Sequence, residues 1–399
     1  MTKKFTLLLA IVATVLVVDS TVVVAQPDSA PPSGDDEQAA AEEESFFSRF
    51  IDPYDGRLDF TAGGEEGGAS GLVPLVIPGN DPTLGPNLLM AAVYFHPPDP
   101  SVEPVAGSPP TMTFGGAGVT ENESWAVAGG HSTVWNEGRI RYFGLLGTAS
   151  INLEYFGTDS SKRFESDPLD FNIEGDVLVQ QAQFRLGSSN FFAGGRYTLM
   201  STDVTFEITP EDDIALGTSV DAGATAFISF DSRDNTFTPN RGTKASIGLS
   251  YFSESLGGEF NYSKADVAGV QYWQLLDERL SLGLRTEYHF ADDDAPFYSL
   301  PWVSLRGLPI FRYVGNHAIT VEIEPRWQID ERWSVLGFAG AGRASAHFDD
   351  LGDAERAYNY GVGFRYLLAR RLGLAAGFDL ARGPEETTIY LTFGNAWGF

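Results

Sequence analysis

Apolar and polar residues alternate along most of this chain. Leu280, Leu282, Leu284, Thr286, Tyr288 and Phe290 share one face of an extended segment, and Ser281, Gly283, Arg285, Glu287 and His289 share the other. Tyr358, Tyr360, Val362, Phe364, Tyr366 and Leu368 oppose Asn359, Gly361, Gly363 and Arg365. Leu372, Leu374, Ala376, Phe378 and Leu380 oppose Gly373, Ala375, Gly377 and Asp379. A period of two is the period of a β-strand. The pattern predicts strands near 86–96, 110–119, 123–135, 138–157, 168–187, 190–207, 217–231, 242–255, 260–277, 279–291, 316–330, 332–346, 355–370, 372–382 and 386–397. Short turns such as Asn136-Glu137-Gly138, Asp277-Glu278, Asp330-Glu331 and Arg370-Arg371 alternate with longer connections, notably 291–315 and 346–355.

Such strands fit either a soluble β-sandwich or a transmembrane barrel. Aromatic residues near the ends of the apolar faces, and Gly, Ser and charge on the opposite faces, favour a lipid-facing wall around a wet lumen. Lipid cannot satisfy a free sheet edge, so the sheet must close. An even strand count then requires one more strand before residue 86. Leu72-Val73-Pro74-Leu75-Val76-Ile77 is the candidate, giving an all-β, antiparallel transmembrane β-barrel of about sixteen strands. Pro74 and Pro78 remove ladder donors, so the junction of the first and last strands should be the weakest line in the wall.

The N-terminus sets the compartment. Lys3 and Lys4 precede an apolar run, Phe5 to Val18, and a small-residue exit near Ala25. Residues 1–25 read as a secretory signal peptide. Residues 26–45 are acidic and rich in Pro and Ala, a composition for a disordered linker. A periplasmic leader is expected over 46–68, containing Asp52-Pro53-Tyr54-Asp55-Gly56-Arg57, and the barrel over 69–399. No later apolar run reaches the roughly twenty residues of a membrane helix. The expected location is the outer membrane of a Gram-negative bacterium. The expected partners are the lipid bilayer and, through the acidic tether, periplasmic or outer-membrane proteins; the barrel is expected to be monomeric.

A formal net charge of -28 leaves no basic face for nucleic acid. The absence of cysteine excludes disulfides, thiolate chemistry and a lipoprotein anchor. The histidines, His96, His131, His289, His317 and His347, lack ligand spacing, so no metal or cofactor is expected. No nucleophile motif suggests an enzyme.

Several motifs together resemble a known family. Phe230-Asp231-Ser232-Arg233-Asp234-Asn235, followed by Thr238-Pro239-Asn240-Arg241-Gly242, is similar to a periplasmic turn of the bacterial surface antigen family, the barrels of BamA/TamA-like assembly factors. Ser304-Leu305-Arg306-Gly307 resembles that family's inward-folded sixth extracellular loop, and Phe311-Arg312-Tyr313-Val314-Gly315-Asn316 continues the pattern. Glu324-Pro325-Arg326-Trp327 and Phe338-Ala339-Gly340-Ala341-Gly342 resemble the two strands that follow. Phe393, Trp397 and Phe399 resemble a C-terminal assembly signal. The resemblance implies a role in protein or lipid assembly or translocation at the outer membrane; the alternatives are a passive pore and a structural barrel without transport. The chain looks like the branch without POTRA domains. Gly340 stands where many relatives carry an Asp facing the loop arginine. An inward Arg306 needs a carboxylate, and Glu322 and Glu324, which share a face with Arg326, are the candidates. Asp231, Arg233, Asp234, Pro239 and Gly242 read as structural turn formers, with Gly242 in a positive-φ position.

Overall fold

The computed structural model describes Asp52 and residues 55–57, 71–97, 110–157, 168–209 and 212–397. The predicted signal peptide and linker lie outside these residues, as do most of the leader and Phe399. The described chain forms one sheet of sixteen antiparallel strands, each paired with its neighbours in sequence. They are β1 (Gly71–Asp81), β2 (Gly85–Phe95), β3 (Met112–Thr120), β4 (Trp125–Trp135), β5 (Ile140–Tyr155), β6 (Leu169–Arg185), β7 (Phe191–Thr209) and β8 (Asp212–Asp231). The second half comprises β9 (Gly242–Phe252), β10 (Tyr262–Leu275), β11 (Leu280–Ala291), β12 (His317–Gln328), β13 (Trp333–Ser345), β14 (Ala357–Ala369), β15 (Leu374–Arg382) and β16 (Thr387–Phe393).

The two faces of the sheet are the reverse of a soluble sandwich. On β12, Glu322 and Glu324 are 1% and 8% exposed, whereas Val321 and Ile323 between them are 40% and 42% exposed. Around the rest of the wall, Val76, Leu146, Leu249, Val362 and Leu380 likewise stand outside. Keeping one such side chain in water forgoes about 1.5–3 kcal/mol, so a continuous outer band of them is stable only against lipid. The lumen, conversely, buries charge, which it must then pair.

β1 runs eleven residues despite its prolines. It keeps an unbroken register with β2 from Gly71↔Phe95 to Asp81↔Gly85. Each antiparallel residue directs its N–H and C=O to the same neighbour. Pro86 O accepts from Glu121 N beyond β3, so the even positions of β2 face β3 and its odd positions face β1. The odd residues of β1 therefore serve β2, and Pro74 and Pro78 turn their donor-less nitrogens toward β16. Among the described residues, β16 lies beside β1 but no ladder joins them. The barrel is nearly closed, and its seam is where the sequence places it.

Several boundaries shift from the pattern reading, among them β1, which runs on to Asp81 rather than Ile77. β8 starts at Asp212 rather than 217, and its pairing with β7 absorbs two register shifts. β16 ends at Phe393 rather than 397, because Gly394, at φ 71, turns the chain out of the strand. β5 to β8 have 16, 17, 19 and 20 residues, well beyond the roughly ten a tilted span requires. Their surplus rises on the side of the long β11–β12 loop and gives that loop a wall to pack on.

Candidate functional site

The long loop between β11 and β12 (292–316) turns into the barrel. Arg306 is its deepest charge. Its Nη2 lies 3.1 Å from Glu322 Oε1 and 2.9 Å from Glu324 Oε2, and its Nη1 lies 2.9 Å from Asp379 Oδ2. The guanidinium carbon sits 3.5 Å from the centroid of the Phe338 ring. The cation is surrounded by three carboxylates and an aromatic face, with little water access. Burying that charge is tolerable only because it is so fully paired.

The carboxylates are themselves shared. Asp379 accepts a fork from Arg365, Nη1 to Oδ1 at 2.6 Å and Nη2 to Oδ2 at 2.8 Å. Glu322 accepts from Asn359 Nδ2 at 2.9 Å and from Trp397 Nε1, and Arg285 Nη1 lies 3.7 Å away. One network therefore joins the loop, β11, β12, β14, β15 and the C-terminal tail.

The sequence pointed to Glu322 and Glu324, and the structure places both on Arg306. It missed Asp379 and Phe338. Asp379 had a legible signal, since it occupies a lumen-parity position among small residues on β15. Gly340 explains why the carboxylate comes from β15: a Cβ there would lie 2.7 Å from Leu305 Cδ2 and 2.6 Å from Asn359 Oδ1. The loop rests on that glycine. Leu305 packs with Val303, Leu308, Tyr313 and Ala357. Gly307 donates its N–H to Tyr390 Oη on β16 at 2.9 Å.

Above Arg306 the same loop caps the lumen. Phe297 inserts among Tyr155, Phe171 and Phe206, with ring centroids 5.3, 5.9 and 5.6 Å away. Trp302 tilts against Phe311 at 4.6 Å. Lys264 Nζ donates to Ser299 O at 2.9 Å, and Ile310 N donates to Thr83 Oγ1 at 2.6 Å. Phe311 holds φ 62 while almost fully buried, a conformation that persists only where packing over-determines it.

The opposite end is closed by the β8–β9 turn and the tail. Asp231 grips Arg233 with two bonds, 3.0 and 3.1 Å. Asp234 Oδ1 accepts from Asn240 N at 3.0 Å, which folds the turn onto itself. Pro239 O and Asn240 Oδ1 accept from Arg326 Nη2 at 2.8 and 2.7 Å, which anchors the turn to β12. Gly242 sits at φ 103, where a Cβ would come within 2.3 Å of Ser232 O. After Phe393, Asn395 donates to Thr236 O at 3.2 Å. Trp397 then packs against Val270 and Tyr272 inside the barrel. Trp397 thus lies in the lumen rather than on the strand where the pattern put it.

The leader also touches the barrel. Asp52 Oδ2 lies 2.5 Å from Arg332 Nη2, and Asp55 Oδ2 lies 2.8 Å from Arg332 Nε and 2.9 Å from Arg370 Nη2. These arginines belong to the β12–β13 and β14–β15 turns, which the leader clips together. The hydrogen bond from Arg332 lowers the Asp55 carboxyl from 3.8 to about 2. Composition gave no signal for this pairing, because the partners are separated by almost the whole barrel.

Residues 148–301 match the Omp85 superfamily domain. Over these residues the chain is similar to the Omp85 barrels. Its fold is similar to BamA from Haemophilus ducreyi lacking POTRA domains 1–3, with TM-score 0.51 and 12% identity over 81% of this chain and 69% of that one. It is also similar to CdiB from Acinetobacter baumannii (TM-score 0.54, 10% identity, 81% of this chain and 58% of that one). CdiB from Escherichia coli gives TM-score 0.55 at 10% identity, covering 81% and 62%. The chain thus spans about six tenths of the length of either CdiB chain. No curated protein matches the sequence. Omp85-type barrels of this kind are outer-membrane proteins, and the apolar outer band of this one suits that setting. The BamA/TamA-like resemblance read from the motifs holds at the level of the Omp85 superfamily.

Proposed function

We propose that this Omp85-like barrel acts in protein or lipid assembly or translocation at the outer membrane through the β1–β16 seam. The observation that carries the reading is that seam, where prolines remove donors and no ladder forms among the described residues. A strand edge left unpaired in a membrane is costly, and this one is retained beside a last strand of only seven residues. In this orientation the short turns and the leader clip face the periplasm, and the capped end faces outward.

A passive pore is the weaker reading. A pore needs an open lumen, whereas here the 292–316 loop folds inward at one end and the tail after Phe393 packs inside the barrel at the other. No catalytic role is proposed.

The test uses the absence of native cysteine. Single cysteines along β1 (Leu72, Pro74, Val76) are each combined with one on β16 (Ile389 or Leu391) and oxidised in intact cells. Locking the seam should reproduce whatever depletion does to the outer-membrane protein and surface-lipid profiles, and reduction should reverse it. If depletion leaves both profiles unchanged, the assembly reading fails. If depletion changes them but the locked seam does not, the route through the seam fails.

A further inference from the structure

Behind the seam lies a cavity of 390 Å³. It is bounded by the inner face of β1 at Ile77, by Leu89 on β2, by Leu305 and Leu308 of the inward loop, and by Leu391 and Phe393 of β16. That volume falls within the range of small-molecule sites, about 300–1,000 Å³. Its walls are mainly apolar. The polar side chains at its border are already engaged within the protein. Asp81 accepts from Thr83 N and Leu84 N, and Asn87 donates to Gly85 O. Arg306 is held by its three carboxylates, Tyr390 accepts from Gly307 N, and Thr392 donates to Asp379. These polar groups at the seam end are thus bound within the protein, and the aliphatic side chains there offer a guest only apolar contact. A largely apolar space of this kind takes up apolar molecules.

The route in is equally constrained. Residues 302–310 of the inward loop border it on one side, and Phe237 with Gly394, Asn395 and Ala396 border it toward the other end. The boundary toward the lipid is the unladdered seam. Its outer surface is lipid-facing on both sides, with Leu72 and Val76 on β1 and Ile389 on β16 exposed. Leu391 and Phe393 share the parity of Ile389, yet they are partly buried against the cluster that contains Val73, Leu75 and Ile77. β16 therefore leans inward, and side-chain packing alone separates the cavity from the hydrocarbon outside. The seam therefore gives a guest from the bilayer core a short route into this space.

We propose that the cavity behind the β1–β16 seam is a binding site for an acyl chain of a membrane lipid. The chain enters between the two strands, and its methylenes meet Leu89, Leu305, Leu308 and Leu391. The site does not depend on whether clients pass the seam, so it stands apart from the assembly reading.

The test is acyl-chain photocrosslinking. The protein is reconstituted into phosphatidylcholine vesicles containing a phosphatidylcholine with a diazirine near the end of one acyl chain. After irradiation, adducts are mapped by peptide mass spectrometry. Adducts are expected on Leu305 or Leu308, which lie inside the barrel, as well as on outer-band residues such as Ile247 and Leu249. Leu89→Trp, which fills the cavity, should reduce the internal adducts at least severalfold and leave the outer-band adducts unchanged. Leu308→Phe serves the same purpose should Leu89→Trp fail to give a heat-modifiable, folded barrel. Adducts confined to the outer band of the wild-type protein would overturn the proposal. Internal adducts that persist undiminished in a folded, filled variant would overturn it too.

Discussion

Replacing Arg306 with alanine tests whether the inward loop is held by charge. The side chain is 9% exposed, and Glu322 and Asp379 beside it are fully buried. Deleting one member of a buried ion network costs about 3–5 kcal/mol, chiefly through the charges left behind. The losses are unequal here. Asp379 keeps both bonds from Arg365, and Glu322 keeps Asn359 and Trp397. Glu324 loses a cation 2.9 Å away and carries most of the penalty. The contact with Phe338 adds about 1–2 kcal/mol when desolvated. We expect Arg306→Ala to destabilise by about 4–5 kcal/mol, the lower end of the combined range because two carboxylates stay satisfied. Arg306→Lys keeps the charge but loses the planar fork, and should cost about half as much. Adding Glu324→Gln to Arg306→Ala should recover part of the loss, because the orphaned charge is then gone. The assay is urea unfolding in lipid vesicles followed by tryptophan fluorescence, together with proteolysis of the 292–316 loop on intact cells. A midpoint for Arg306→Ala equal to wild type, with loop cleavage unchanged, would refute the argument. So would Arg306→Lys proving as damaging as Arg306→Ala.

Three further outcomes are expected. Trp397→Phe keeps the ring packing but removes the bond to Glu322, and should cost about 1.5–3 kcal/mol, read as a lowered unfolding midpoint and faster carboxypeptidase trimming of the tail. The Asp55 carboxyl is lowered in the folded state, so its clip contributes stability that is present above the ordinary carboxylate value of 3.8 and is lost as pH falls through about 2; proteolysis within the leader by an acid-active protease should stay slow at pH 4 and accelerate near pH 2, and Asp55→Asn should be fast at both. Combining Pro74→Ala with Pro78→Ala restores two donors facing β16, and should slow amide exchange on β1 and β16 in hydrogen-exchange mass spectrometry; unchanged exchange would show that the prolines do not set the state of the seam.

The sequence by itself determined the wall. Backbone geometry forces strand side chains to alternate, and lipid demands that one set be apolar, so sixteen strands and the parity of Glu322, Glu324 and Asp379 were all written in the period of two. Pro74 and Pro78 likewise marked the seam, because a missing donor is a property of the residue alone. The interior was decided only by the tertiary structure. Arg306 meets Asp379, 73 positions away, because the curvature of the barrel and the path of the loop over Gly340 bring β12 and β15 to one point. Trp397 reaches Glu322 because the chain turns at Gly394, and strand periodicity carries no information past its own end. Asp52 finds Arg332 280 positions away, and Asp55 finds Arg370 315 positions away, across roughly the whole length of the sheet. Those contacts depend on how the cylinder closes, and closure is a property of all sixteen strands at once.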